Sequence, residues 1–325
     1  MVTVALAAAA AFAQLNPAER LAKWKRVDMP EPAGLSPKEH QMVDKLADAC
    51  RLLDEVFWHQ SDLTGLELYR TTTDPTIKRL LGIMGSRWDL LDENRPFVGN
   101  QPMPPGHELY PHDLTRDAME KYVAQHPAEK AALYNPYTVV KRLGGRLIAV
   151  PYREEYRQFL APMAQDLRDA ATLSADPAFA NFLRLRADAL LSDDYYKSDL
   201  AWLDLNAPKF DVIFAPYEVY LDDLLAVKTS YGASILIRNE AESAKLAVYQ
   251  RYVAQIQDAL PIDAADRPSK AGHLSPMEVM DAPDRAGDLL HGYQAVADNL
   301  PNDPRIHAEK GSKKIFFKCF NFWCA

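Results

Sequence analysis

Two short segments of this chain bring acid, base and metal-binding side chain types close together. The first, His107-Glu108-Leu109-Tyr110-Pro111-His112, matches H-E-x-x-x-H. Two histidines and a glutamate on one helical face are how many zinc hydrolases hold their metal and activate water. That geometry needs unbroken helix between the ligands. Pro111 lacks an N–H, clashes with the preceding turn and disfavours helix at Tyr110. The helix signal at Thr115 comes only after the motif. The segment therefore reads as a loop, and no zinc is expected on this chain. The second segment is Ala215-Pro216-Tyr217-Glu218-Val219-Tyr220-Leu221-Asp222. On a strand, Glu218 and Tyr220 share a face, with Pro216 and Asp222 as like-facing neighbours. The carboxylate can bind an ammonium and the phenol can donate to a developing oxyanion. A rim tyrosine satisfied by a neighbouring carboxylate is the plainer alternative, and the spacing leaves both open.

Other chemistries find little support. There is no G-x-S-x-G elbow, no P-loop and no G-x-G-x-x-G. His40, His59, His126, His273, His291 and His307 show no ligand spacing, and His40 reads as solvated. The three cysteines (Cys50, Cys319, Cys324) are too few for a disulfide framework and form no C-x-x-C pair. Cys50 lies on an apolar stripe and reads as an inert core thiol. The pairs Asp54-Glu55, Asp92-Glu93 and Asp193-Asp194 read as solvated faces. With a net charge of −8 and a longest basic cluster of only Lys310 to Lys318, a nucleic-acid partner is not expected.

The elements that must position these residues are mostly helices. Ser36-Pro37-Lys38-Glu39 is a capping box with proline at the first helical position. Behind it Met42, Leu46, Cys50, Leu53 and Phe57 recur at helical spacing and predict one buried stripe. Ser275-Pro276-Met277-Glu278 repeats the signature. Asn239 with Glu242 predicts another helix, burying Leu246, Tyr249, Val253, Ile256 and Leu260. Asp176-Pro177 and Thr115 open two more. A helical stretch from Glu155 to Ala171 contains Pro162, where a kink or break is expected. Strand signals concentrate in Arg146 to Tyr152, after the Gly144-Gly145 turn, and in Phe210 to Tyr220 and Ala226 to Arg238. The last two are joined by Leu221 to Leu225. This pattern predicts an α+β fold, mostly helical, with a small central antiparallel sheet or partial barrel.

Residues Met1 to Ala13 form an apolar run ending in Ala11-Phe12-Ala13, the small-x-small pattern of a signal-peptide cleavage site, although no basic leader precedes it. The expected location is periplasmic or secreted, with a cytoplasmic start as the alternative. The run is too short to anchor in a bilayer, so no membrane partner is expected.

The stretch from Asp193 to Arg238 resembles the dipeptidyl peptidase III family, particularly its shorter bacterial members. The likeness lies in a D-x-Y-x-x-S-D-x-x-W stretch, a G-P-x-E-x-Y strand and a lysine-containing strand. Pro104 to Asp113 and Asn299 to Lys318 are similar to those members too, so the resemblance spans most of residues 15 to 318. It implies the N-terminal, substrate-binding lobe of a two-lobed zinc exopeptidase. Such enzymes hold a peptide by its free N-terminus and release dipeptides. On that resemblance Glu218 and Tyr220 belong to the substrate-binding set, and Tyr220 is the catalytic oxyanion donor. Asn302 is a further candidate for substrate contact, a plain loop cap being the alternative. The chain departs from the family at Ala215, where glycine is usual, and at Gly232, where an acid is usual. The family's zinc helices, H-E-x-x-G-H and E-E-x-x-A-E, would lie beyond residue 325. Cys319 to Ala325 therefore reads as an aberrant tail from a truncation or shifted frame, on a chain inactive alone. The other reading is a non-catalytic α+β peptide-binding or scaffold protein.

Overall fold

The computed structural model describes residues 14–27, 34–263, 277–320 and 322–324. The expected signal segment, 1–13, lies outside them. The Ser36 capping box forms as the sequence predicts: the Ser36 hydroxyl accepts from Glu39 N–H, and the Glu39 carboxylate accepts from Ser36 N–H. It opens α1 (Pro37–Ser61), whose Met42, Leu46, Cys50, Leu53 and Phe57 are all buried. Each large apolar side chain of that stripe contributes roughly 1.5–3 kcal/mol of burial, which ties α1 to the core. Burial also pushes the Cys50 thiol up, away from the reactive thiolate. Thr115 caps the helix Arg116–Gln125.

Helix α2 (Arg157–Leu173) packs along α1 and runs unbroken through Pro162. The interruption falls earlier, at Tyr156, where one helical turn (Tyr152–Glu155) ends and α2 begins. Pro162 costs one intrahelical hydrogen bond, and the burial of Leu160, Met163, Ala164 and Leu167 outweighs it. Asp176 caps α3 (Pro177–Ser192), and α4 (Tyr196–Leu203) follows. Asn239 caps α5 (Glu240–Gln250) as expected, but the expected buried stripe does not form. Tyr249, Ile256 and Leu260 are exposed and Leu246 and Val253 half-buried; Ser243 is buried and ties α5 to the Val279 backbone through its hydroxyl.

The central sheet has five strands: β1 (Phe210–Glu218), β2 (Ser230–Arg238), β3 (Met277–Gly287), β4 (Ala297–Leu300) and β5 (Lys313–Phe320). Their order is β1-β2-β3-β5-β4. All pairings are antiparallel except β3 with β5, so the sheet is mixed rather than antiparallel throughout, and it does not close into a barrel. A helix was expected behind Ser275-Pro276; those two residues are outside the described set, and Met277–Gly287 is a strand. Burial alternating over part of this segment, together with Pro283, outweighs the four-residue capping signature. Arg146–Pro151 does not join the central sheet. It pairs with Thr138–Leu143 in a separate hairpin, whose Gly144 and Gly145 both have positive φ, as a tight two-residue turn requires. Phe322–Cys324, within the expected aberrant tail, pairs antiparallel with Lys25–Val27.

Candidate functional site

Strand β1 carries the site on its last residues. Its register with β2 slips between Pro216 and Glu218, and such a bulge re-aims the side chains that follow. β1 ends at Glu218, so Tyr220 stands in the turn beyond, not on the strand as the alternation predicted. The connection to β2 also runs to residue 229, longer than expected. Asp222 organises it from inside. Its Oδ1 accepts from Leu225 N–H, and its Oδ2 accepts from Val227 N–H, Lys228 N–H and the Tyr110 hydroxyl. It is 2% exposed, so it is a buried loop anchor and does not share the outer face with Glu218 and Tyr220. Lys228 follows into the interior, donating to the carbonyls of Leu133 and Asn135 and to the Thr138 hydroxyl.

Glu218, Tyr220 and Asn302 line one cavity of about 770 Å³. Asn302 comes from the segment after β4, and its amide donates to the Tyr217 carbonyl and to Glu218 Oε1, 3.2 Å each. It is not a helix cap: the neighbouring Asp303 caps Pro304–Glu309. Tyr220 is 68% exposed at the cavity mouth. The Glu218 charge beside it raises its hydroxyl pKa, which keeps the phenol a neutral donor at physiological pH.

Three further carboxylates line the same cavity: Asp223, Asp288 and Asp298. Burial pushes Asp288 up to about 7, and the charges of Glu218 and Asp298 add to this while the Ser230 hydroxyl opposes it. Asp298 is pushed up to about 6, mainly by burial and against the pull of Arg285. Its Oδ2 is buried without a hydrogen-bond partner. Glu218, Asp288 and Asp298 also border a narrow extension of about 20 Å³ at the end of β1, room for little more than one water-sized group. Among the described residues, neither lysine nor arginine lines it.

Sequence reading missed Asp288 and Asp298: Asp288 follows a segment expected to open a helix, and Asp298 lies on β4, where no strand was expected. Burial alternates only over residues 280–283 of the strand before Asp288, so little signal was available. Gly232, where the family usually has an acid, pairs with Ala215 on one side and Gly287 on the other. A Cβ there would stand 3.1 Å from Leu289 Cγ and 3.5 Å from Asp288 Cβ. The Asp288 Cβ thus stands beside the position that Gly232 leaves vacant.

The H-E-x-x-x-H segment is a single 3₁₀ turn, His107–Leu109, followed by extended Tyr110. His107 is buried, its Nδ1 3.0 Å from the Ser61 carbonyl, and burial lowers its pKa. His112 is exposed and meets the Glu108 carboxylate at 3.1 Å. The two rings do not converge. Among the described residues, no three His, Cys, Asp or Glu side chains are grouped to hold a metal ion, so the residues in hand do not fit a zinc site. Two acids expected to be solvated are engaged: Asp54 Oδ1 meets His291 Nε2 and Gly287 N–H, and Asp193 accepts from Arg153.

No family model matches the chain. The structure is similar to that of DPP III from Caldithrix abyssi, with a TM-score of 0.81 and 38% identity over 87% of this chain and 55% of that one. It is also similar to dipeptidyl-peptidase III from Corallococcus sp. strain EGB, with a TM-score of 0.84 and 32% identity over 94% of this chain and 59% of that one. Both likenesses cover most of this chain. It has the peptidase-like α+β fold of these two dipeptidyl-peptidase III structures and spans little more than half of their length. Among curated proteins, Nudix hydrolase 3 of Arabidopsis thaliana is 28% identical over 282 residues, 79% of this chain and 36% of that protein. Among the described residues, no helix is long and apolar enough to cross a membrane.

Proposed function

We propose that this chain supplies the substrate-binding part of a zinc-dependent dipeptidyl-peptidase that releases dipeptides from peptide N-termini. The observation that carries the reading is the cavity at the end of β1, where four carboxylates stand beside Tyr220 and, among the described residues, no lysine or arginine lines the wall. Such a lining calls for a cation and repels phosphate, which favours a peptide ammonium over a nucleic acid. Glu218, with its Oε1 held by Asn302, pairs with that ammonium. Tyr220, a neutral donor, hydrogen-bonds the peptide carbonyl and strengthens that bond as negative charge develops on the oxygen. Zinc would supply the activated water. Its ligands are not among the described residues, so the chain by itself binds peptide without cutting it. The periplasmic or secreted location expected from Ala11-Phe12-Ala13 belongs to this reading, and the mass of the N-terminus recovered from the native host checks it.

The test is calorimetric titration of the chain with trialanine and with N-acetyl-trialanine. The free amine is expected to bind roughly 10-fold tighter or more, the scale of one charge-assisted hydrogen bond. Equal affinities would remove the ammonium from the site. In a protein of the relatives' full length, trialanine that binds and is never cut would make this a peptide-binding scaffold.

A further inference from the structure

Behind Glu218, on the side away from the cavity, lies a buried polar cluster that the peptide-binding reading does not use. Arg186 of α3 is 1% exposed. Its Nη2 donates to Asp199 Oδ1 of α4 at 2.5 Å and to the Tyr217 hydroxyl at 3.0 Å. The Tyr217 hydroxyl in turn donates to the same Asp199 oxygen at 2.6 Å. The guanidinium is walled by the rings of Phe182, Tyr195 and Tyr217, 5.3 to 5.7 Å from its carbon. These rings face the guanidinium, whose Nε and Nη1 have no hydrogen-bond partner.

Tyr217 immediately precedes Glu218, at the point where the ladder slips and β2 no longer sets the strand's register. Two things hold the backbone there. From inside, Asp199 and Arg186 grip the Tyr217 ring. From outside, Asn302 bridges the Tyr217 carbonyl and Glu218 Oε1. We infer that Arg186 and Asp199 are positioning residues for the cavity. Acting through Tyr217, they fix the end of β1 so that Glu218 is held against Asn302 and aimed at the ligand. Elsewhere on α4, Trp202 Nε1 donates to Asp211 Oδ1 at 2.6 Å near the start of β1. α4 is thus fastened to the strand at both ends, and only the Tyr217 end borders the cavity. The inference rests on the peptide-binding reading for its consequence in affinity, and on geometry alone for the placement of Glu218.

The experiment compares the wild-type chain with Tyr217→Phe, which loses the hydroxyl and leaves the Arg186–Asp199 pair intact. Trialanine and its N-acetyl form are titrated at a temperature well below melting, and the Glu218 carboxyl is followed by ¹³C NMR. The preference for the free amine is expected to fall by about 5-fold or more. The Glu218 signal is expected to move toward that of a solvated glutamate. A folded Tyr217→Phe chain with unchanged preference and unchanged Glu218 signal would overturn the inference, because a merely structural cluster alters melting alone. If Tyr217→Phe does not fold, Asp199→Asn replaces it, since the amide oxygen still accepts from Tyr217 and only the negative charge beside Arg186 is lost. The same NMR change, smaller in size, is then expected, and its absence is equally decisive. A wild-type chain that does not distinguish the two peptides removes the ammonium reading, and the Glu218 signal still decides whether Tyr217 positions that side chain.

Discussion

Asp211 and Asp288 are both carboxylates held at the central sheet, and the chain treats them in opposite ways. Asp211 is fully buried at one end of β1, where Lys313 Nζ and Trp202 Nε1 each stand 2.6 Å away and Lys313 lies over the Trp202 ring. Asp211 there has its counter-charge from the same chain. Asp288, at the other end of β1, faces Glu218 and Asp298 across a cavity that, among the described residues, neither lysine nor arginine lines. Burial pushes it up to about 7, and its like-charged neighbours add to this rather than holding it ionised. A buried charge fully compensated from within belongs to the fold. A charge left for something else to compensate marks a site.

Breaking the compensated end should have the largest effect. Lys313→Met leaves Asp211 as an uncompensated buried charge and is expected to cost about 3–5 kcal/mol in urea unfolding. A loss below about 1 kcal/mol would show that Trp202 and the backbone satisfy Asp211 without Lys313. At the uncompensated end, Glu218→Gln should barely alter stability. It should reduce the preference for a free N-terminus by roughly 10-fold, read by calorimetry. A large drop in melting temperature would instead place Glu218 with Asp211 as part of the fold.

The pH dependence sharpens the contrast. Asp288 titrates near 7 when folded and near 3.8 when unfolded. Its contribution to stability is fully present below about 3.8 and is lost as pH rises through about 7. Asp288→Asn should therefore flatten the decline in stability between pH 5 and 8 by on the order of 1 kcal/mol. An unchanged profile would mean that the carboxyl is well solvated. Peptide binding should run the other way, tightening from pH 5 to 8 as Asp298 and Asp288 ionise to meet the ammonium. The smallest effect expected is that of Tyr220→Phe on stability, within about 0.5 kcal/mol, since the side chain is mostly exposed. A larger loss would make Tyr220 a packing residue.

Much of this was legible in the sequence where local rules and burial agree. The Ser36 capping box, the α1 stripe and the exclusion of a helical H-E-x-x-x-H motif all rest on short-range sterics and one-sided burial. Glu218 and Tyr220 were legible as a pair, but not the bulge at Pro216–Glu218 that turns them into the cavity, because a register slip depends on the partner strand. Met277–Gly287 was misread because a capping box carries weight only where a helix has a face to bury, and this segment lies within a sheet. Asp288, just beyond it, was hidden with it. The Tyr249, Ile256 and Leu260 stripe failed for the opposite reason: the helical period was genuine, but among the described residues the core does not extend to cover it.

The Asp222 knot also bears on how the site would bind. One carboxylate holds three backbone N–H groups and a tyrosine hydroxyl, so the 219–229 connection is ordered before any ligand arrives. Fixing backbone costs about 1–2 kcal/mol per residue in conformational entropy. Here that loss falls on folding, and closing the mouth around a peptide need not incur it again. The site should therefore behave as a preformed socket, with a small entropic penalty on association and little difference between its empty and filled shapes.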